Sequence, residues 1–429
     1  MDPNYFFILQ KTLNAIGRFI WAWWWLPLPF FLFRYAKFLY LWYLNDEFWA
    51  KANWMVLEIK VPKETERPIK AMEQVITSFW TLYDPPDFKE QWFEGKYLLN
   101  FSLEIAGIDG KIRFFIYLPG NMRHIFESAI YSQYPEVEIE QVPDYTSFVP
   151  KDIPNKHWDL WACNFRLRKG NFYPIKTYQS FFEPSQEIKE ERRVDPLSVL
   201  LEGMSRLQPG EQLWFQIILT PVTGKENPWL EEGKRELNRL LKRPEGPGPE
   251  KSIVGEAFRV LTSKDYVPFA KTEQKEELIP SEMKLSPGER EIVQAIENKL
   301  SKQGFQAYVR MVLLGKKEAF FKPHLRLVLN FSTSVSTQHL NQLTPFMTTK
   351  IVAPSPFREA RLFIKKRMIF KRYIKRWGYY FPKSGGALVF NPEEIATLWH
   401  FPSRMAMPSE GIEAIEAKKA SPPPNLPIG

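Results

Sequence analysis

The residues of this chain that could do chemistry are few and far apart. The five histidines, His124, His157, His324, His339 and His400, are scattered, and none has a cysteine or a second histidine at metal-ligand spacing. The one cysteine, Cys163, lies in a stretch that reads as a strand, where a buried structural thiol outweighs a nucleophile. A single cysteine excludes an intrachain disulfide and suits a reducing compartment. No G-x-S-x-G elbow is present. Gly224-Lys225 and Gly315-Lys316 are followed by Glu226 and Lys317 and lack the upstream glycine of a phosphate-binding loop. Acidic pairs such as Glu190-Glu191 and Glu393-Glu394 read as solvated surface. No catalytic residue, metal or cofactor is therefore expected, and the chain reads as non-enzymatic.

Charge is concentrated in one place. The formal net charge is +9, and between Phe357 and Trp377 nine basic residues face one acid, Glu359. The candidate contact residues there are Arg361, Lys365, Lys366, Arg367, Lys371, Arg372, Lys375 and Arg376. Helical spacing puts Leu362, Ile369, Tyr373 and Trp377 near one face, with Arg361, Lys365, Arg372 and Arg376 on a neighbouring one. A basic amphipathic helix can lie on anionic lipid, dock an acidic partner or hold nucleic acid; otherwise it is a solvated face. A short stripe without a base-reading motif is weak ground for nucleic acid, so lipid or a protein partner is preferred.

The strongest signal of place is Phe19–Phe33, fifteen apolar residues of which four are Trp. Phe19, Trp21, Trp23, Trp24, Trp25, Leu26, Phe30, Phe31 and Phe33 are the expected membrane-anchor residues. Arg18 and Arg34 close the segment, and Pro27 and Pro29 interrupt it. A span needs roughly 20 apolar residues. Two geometries fit: a short kinked span from about Ile16 to Tyr35, or an in-plane or re-entrant hairpin turning at Leu26–Pro29. The alternative is a buried helix hairpin at a contact between subunits, making a homo-oligomer. The expected location is the cell membrane, with the charge-rich bulk of the chain in the cytoplasm.

The elements that carry these features predict an α+β fold of tandem ferredoxin-like (split βαβ) units with antiparallel sheets. Residues 1–51 form the hydrophobic anchor region. Residues 52–146 read β-α-β-β-α-β: a strand at Trp54–Val61, a helix from Pro68, a half-buried strand at Leu99–Ile105, a Gly107–Gly110 turn, a strand at Ile112–Leu118, a helix from Pro119, and a strand at Glu136–Val142. Residues 147–402 read as a second, interrupted unit beginning at Gln212–Thr220, with Trp158–Arg168 and an Asp195–Met204 helix as a bridge. An insertion at 222–285 holds a Trp229–Leu241 helix, and the basic segment occupies 357–377. Ser286–Glu289 has capping-box spacing. Phe305–Leu314 and Leu325–Phe331 read as paired strands, Ser336–Leu343 as a short helix and Ala387–Phe390 as the last strand. Residues 403–429, with SPPPNLP, read as an extended, disordered tail.

Three stretches carry a family resemblance: Phe114–Tyr145, Asp195–Pro221 and NPEEIATLWHFPS at Asn391–Ser403. They are similar to the membrane-proximal amino-terminal module of type IV secretion- and conjugation-like ATPases of the HerA/FtsK superfamily in candidate-phyla bacteria. The resemblance implies a module whose motor is on another polypeptide, and it carries over no catalytic residue. Trp399 and His400 match that segment and are expected to pack within a short helix, Glu393–His400. The implied role is a membrane-anchored scaffold or accessory protein that positions a separate ATPase, with membrane lipid and that ATPase as partners. The alternative is a nucleic-acid-binding accessory protein using residues 358–376.

Overall fold

The computed structural model describes residues 3–26, 28–62, 67–181, 195–241, 285–346, 348–350, 357–378 and 388–402. The Glu190-Glu191 pair, most of the 222–285 insertion and the 403–429 tail lie outside the described residues. The chain divides into two compact units, Met1–Asn53 with Asp84–Leu99, and Trp54–Tyr83 with Asn100–Gly429.

The first unit is built on helices α1 (Pro3–Trp23) and α2 (Leu28–Lys51). They meet at a turn where the Leu26 and Leu28 amides donate to the carbonyls of Trp23 and Trp25, both at 3.0 Å. Pro29 sits in the first turn of α2, where its missing N–H has no intrahelical partner to lose. Among the described residues no single helix is long and apolar enough to cross a membrane; α1 and α2 pass only as a pair, bent by 40°. The helix break between Trp23 and Leu28 falls inside the Ile16–Tyr35 stretch for which a kinked span or a hairpin is expected. Residues 84–99, which the sequence pattern assigns to the first α/β unit, pack here instead. Tyr40 donates to the Trp92 carbonyl (3.1 Å), and the Lys37 ammonium lies 4.3 Å from the Trp92 ring centre. Gly95 (φ 68°) closes this contact: a Cβ there would stand 2.4 Å from the Leu44 carbonyl carbon.

The second unit is a mixed α/β body around one antiparallel sheet. Its strands are β1 (Trp54–Lys60), β2 (Phe101–Ile108), β3 (Lys111–Pro119), β4 (Glu138–Val142), β5 (Trp158–Leu167), β6 (Glu211–Val222), β7 (Gly304–Lys316), β8 (Leu343–Phe346) and β9 (Leu388–Phe390). Their order is β4-β1-β3-β2-β6-β7-β5-β8, with β9 pairing β7 beyond the end of β5. Helices α3 (Ile69–Phe79) and α4 (Arg123–Gln133) belong to the first half; α5 (Ser198–Ser205) and α8 (Leu325–Ser334) belong to the second. Between them come α6 (Trp229–Leu240) and α7 (Pro287–Leu300), the latter opened by the expected Ser286/Glu289 capping box. Helices α9 (Arg358–Ile374) and α10 (Pro392–Leu398) complete the fold.

With α6 and α7 set aside as inserted between β6 and β7, each half runs strand-helix-strand-strand-helix-strand, and in each the strands lie in the order fourth, first, third, second. The halves join through their second strands, β2 and β6, paired antiparallel from Phe101↔Leu219 to Ile108↔Gln212. The β2–β3 hairpin turns at Asp109 (φ 52°) and Gly110 (φ 82°), the left-handed pair that a two-residue hairpin requires.

Three assignments of the sequence pattern fail here. Residues 158–168 are not a bridge: β5 lies between β7 and β8 as the first strand of the second half. Residues 325–331 form helix α8, not a strand. The run LRLVLNF is apolar at both periods, and the buried residues Val328, Phe331 and Val335 keep helical spacing. Residues 336–342 are not helical and lead into β8.

One core lies between the sheet and helices α3, α4, α5, α8 and α10, and includes Leu103, Ile105, Phe215, Ile217 and Met311. The other lies between the opposite sheet face and α9, and includes Phe115, Tyr117, Trp214, Ile369, Phe370 and Tyr373. Covering both faces explains why β2, which alternates like a half-buried strand, buries Ser102 and Glu104 as completely as Leu103.

The Glu393-Glu394 pair is likewise buried, contrary to its solvated reading. Glu394 opens α10 in a capping box with Asn391, accepts from the Ile175 amide (2.9 Å), and pairs at 2.8 Å with the fully buried Lys299 of α7. Burial pushes the Lys299 ammonium down and the Glu394 carboxyl up, against their mutual attraction. Replacing Lys299→Met strands the carboxylate and should cost about 3 kcal/mol in a urea titration, while adding Glu394→Gln should recover most of that loss.

Candidate functional site

The basic segment is a helix, and the sheet sorts its residues into two roles. Ile369, Phe370 and Tyr373 of α9 face the sheet, as the wheel spacing predicts for Ile369 and Tyr373. Arg361, Arg367, Lys371 and Lys375 are exposed; Lys365 and Arg372 are half-buried. Lys366 is drawn to Asp159 at the start of β5, and Arg367 donates to the Asp152 carbonyl at 3.2 Å.

Arg376 does not belong to the exposed patch. It follows α9 in the left-handed region (φ 49°) and is 3% exposed. Its target is Glu104, which stands on β2 opposite Gln216 of β6, itself opposite Arg310 of β7. Glu104 Oε1 accepts from Ser102 Oγ (2.6 Å), Gln216 Nε2 (2.8 Å) and Arg376 Nε (3.1 Å). Its Oε2 accepts from Tyr145 OH (2.7 Å) and Arg376 Nη2 (3.1 Å). Arg376 also pairs with Asp144 and lies 4.3 Å over the Tyr117 ring, a cation–aromatic contact. Burial opposes the Arg376 charge, and Glu104 and Asp144 more than restore it. Nearby, Arg310 Nη2 donates to the Trp377 carbonyl (2.6 Å), and burial pushes that guanidinium down to about 10, still a cation at neutral pH. A helical wheel cannot reveal this network, because the wheel carries no record of which strand lies beneath the helix.

The anchor residues are all at the surface of their own unit. Phe19, Trp21, Trp23, Trp24, Trp25, Leu26, Phe30, Phe31 and Phe33 are exposed, Trp21 by 82%, and α2 buries no residue. Phe88 and Phe93, which lie outside the aromatic run, add two more exposed rings to the same unit.

The remaining sequence candidates are structural. Cys163 is fully buried, and burial pushes its thiol far up. His400 is buried, with Nε2 3.0 Å from Asp195 Oδ1 and Nδ1 2.7 Å from the Ala396 carbonyl. Trp399 donates from Nε1 to the Glu104 carbonyl (3.3 Å), so the segment 391–402 packs within the body. A cleft of 170 Å³ beside Lys299 is lined by Thr177, Gln179, Ser180, Glu291, Asn298 and Glu393. It is smaller than the roughly 300–1,000 Å³ usual for small-molecule sites. Among the described residues no group of three His, Cys, Asp or Glu side chains is placed to hold a metal ion.

The network has two measurable consequences. Arg376→Met leaves Glu104 buried without its cation and should lower stability by about 3–5 kcal/mol in denaturant titration. Burial alone would raise the Asp144 carboxyl, but hydrogen bonds and charge from Arg376 hold it below its ordinary value of 3.8. A depressed carboxyl contributes fully above its unfolded value and loses that contribution as pH falls through the folded one. The stability gap between the natural chain and Asp144→Asn should therefore be constant at neutral pH and close as the pH drops below 3.8.

No curated protein matches the chain in sequence. The family described as a domain of unknown function, DUF8128, matches residues 45–409. That match takes in the whole sheet, the helices on both of its faces and the buried Asn391–Phe401 segment, and begins near the end of α2. On this extent the chain belongs to the DUF8128 family.

Proposed function

We propose that this protein is a non-enzymatic scaffold, anchored at the cell membrane, that positions a separate ATPase of a type IV secretion-, conjugation- or pilus-like apparatus. The observation that carries the reading is the exposed aromatic surface of α1 and α2. A contiguous apolar patch is costly in water and marks a lipid or protein contact. Trp and Phe interleaved with Arg18, Arg34 and Lys37 is the composition of a membrane interface, where rings sit at headgroup level and cations reach water. The 40° bend between α1 and α2 suits a re-entrant hairpin or a broken span.

The motor's involvement rests on the resemblance of Phe114–Tyr145, Asp195–Pro221 and Asn391–Ser403. The repeated fourth-first-third-second strand order supports reading each half of the sheet as a ferredoxin-like split βαβ unit. A sheet covered on both faces gives such a scaffold a rigid frame, with the bulk of the chain on the cytoplasmic side. The second reading, a nucleic-acid accessory, is favoured by the exposed cations Arg367, Lys371 and Lys375 and weakened by the burial of Arg376.

The test is flotation and affinity recovery of the full chain from its native cell. The chain should float with membranes through high salt, Trp21, Trp23, Trp24 and Trp25 changed to Ser should release it, and a detergent extract should carry an ATPase. A natural chain that stays in the soluble fraction ends the anchoring claim; a membrane-bound chain recovered without any ATPase ends the scaffold claim.

A further inference from the structure

Helix α9 presents to solvent a line of residues that its wheel position relative to the sheet could not show from sequence. Spacings of three and four place Phe357, Arg361, Ile364, Met368, Lys371 and Lys375 along one side, opposite the buried Ile369, Phe370 and Tyr373. All six are exposed, Phe357 by 82% and Ile364 by 64%. Beside the line, exposed Phe363 stacks under the Arg367 guanidinium at 4.6 Å. The helix's one acid, Glu359, lies off this line by spacing.

We infer that this stripe is a second lipid contact: α9 lies against an anionic bilayer surface, Phe357, Ile364 and Met368 entering the headgroup layer while Arg361, Lys371 and Lys375 meet lipid phosphates and carboxylates. The inference deepens the membrane reading given above and rests on it, but uses a different part of the chain. Charge complementarity selects the occupant. Every charge on the line is positive, and each cation ends a long apolar stem that can lie beside an inserted ring while its head stays in water. Interfacial helices combine basic and bulky apolar residues in this way, and juxtamembrane cations are drawn to the negative leaflet. Nucleic acid suits the line less well. Phosphate contacts use cations and polar groups, and bases stack on aromatic rings, whereas Ile364 and Met368 offer neither.

Cys163 makes a direct test practical. It is the chain's single cysteine and is fully buried, so a cysteine introduced at the surface is the accessible thiol. The full chain carrying Ile364→Cys, labelled with an environment-sensitive fluorophore, is reconstituted in phosphatidylcholine vesicles with and without about 30% phosphatidylserine. The expected result is a blue shift, and quenching by spin-labelled lipid, in the anionic vesicles alone. Adding Arg361→Glu, Lys371→Glu and Lys375→Glu should weaken this insertion on the order of a hundredfold. A Phe30→Cys label reports the amino-terminal helices separately. If the Phe30 position is buried in lipid while the 364 position stays aqueous in anionic vesicles, the α9 contact is wrong and the anchor stands. If the Phe30 position is aqueous in both vesicle types, the anchor is wrong. A 364 label that responds to mixed-sequence DNA and not to anionic vesicles overturns the lipid contact in favour of nucleic acid.

Discussion

A carboxylate with no access to water sits where the two halves of the sheet meet, and much of the second unit is arranged to satisfy it. Glu104 is on β2, one side of the seam, and Gln216 on β6 is its partner on the other. Both faces of the sheet are covered there, so every lone pair must find a protein donor. Ser102, Gln216, Tyr145 and Arg376 supply them. These residues come from both halves and from the end of α9, so one ion ties together pieces more than 270 positions apart, as the Glu104–Arg376 separation of 272 records. An apolar residue at 104 would leave these buried donors without their acceptor, and Arg376 would keep only Asp144 as its counter-charge.

This constraint also accounts for the two faces of α9. The helix is pinned at its C-terminal end by Arg376 and packs through Ile369, Phe370 and Tyr373, while Phe357, Ile364 and Met368 are exposed. Its positive charge is thus divided: Arg376 is buried as a fastener, Lys366 pairs with Asp159, and Arg361, Arg367, Lys371 and Lys375 are at the surface. On the other side of the sheet, α10 plays a comparable part. Glu394, Glu393 and Trp399 fasten it to Lys299, Lys302 and the Glu104 backbone, which makes the most recognisable segment of the chain a piece of the core.

The amino-terminal unit follows a different rule. Its helices carry the chain's densest run of aromatic residues and leave them at the surface, whereas the body encloses Trp214, Trp229 and Trp399 completely. Within one chain, large apolar side chains are treated in opposite ways. Trp214, Trp229 and Trp399 are enclosed by neighbouring strands and helices, whereas Trp21, Trp23, Trp24 and Trp25 are exposed.

Local signals were enough for much of this. Alternation and apolar runs placed β1, β3, β6 and β7, Pro68 and the Ser286/Glu289 box marked helix starts, and Asp109-Gly110 marked a hairpin, because each depends on residues a few positions apart. The aromatic run, the lone cysteine and the basic helix were equally plain. Pairing over distance was not. That β5 inserts between β7 and β8, that β2 joins β6 edge to edge, and that 325–331 coils rather than extends are settled by which surfaces are left to cover once the chain collapses. The same holds for Glu104, Glu394 and Arg376, whose types and spacing suggest solvent. A charge is stable in a dry interior only when its counter-charge arrives from elsewhere, and that arrival is decided by tertiary structure alone.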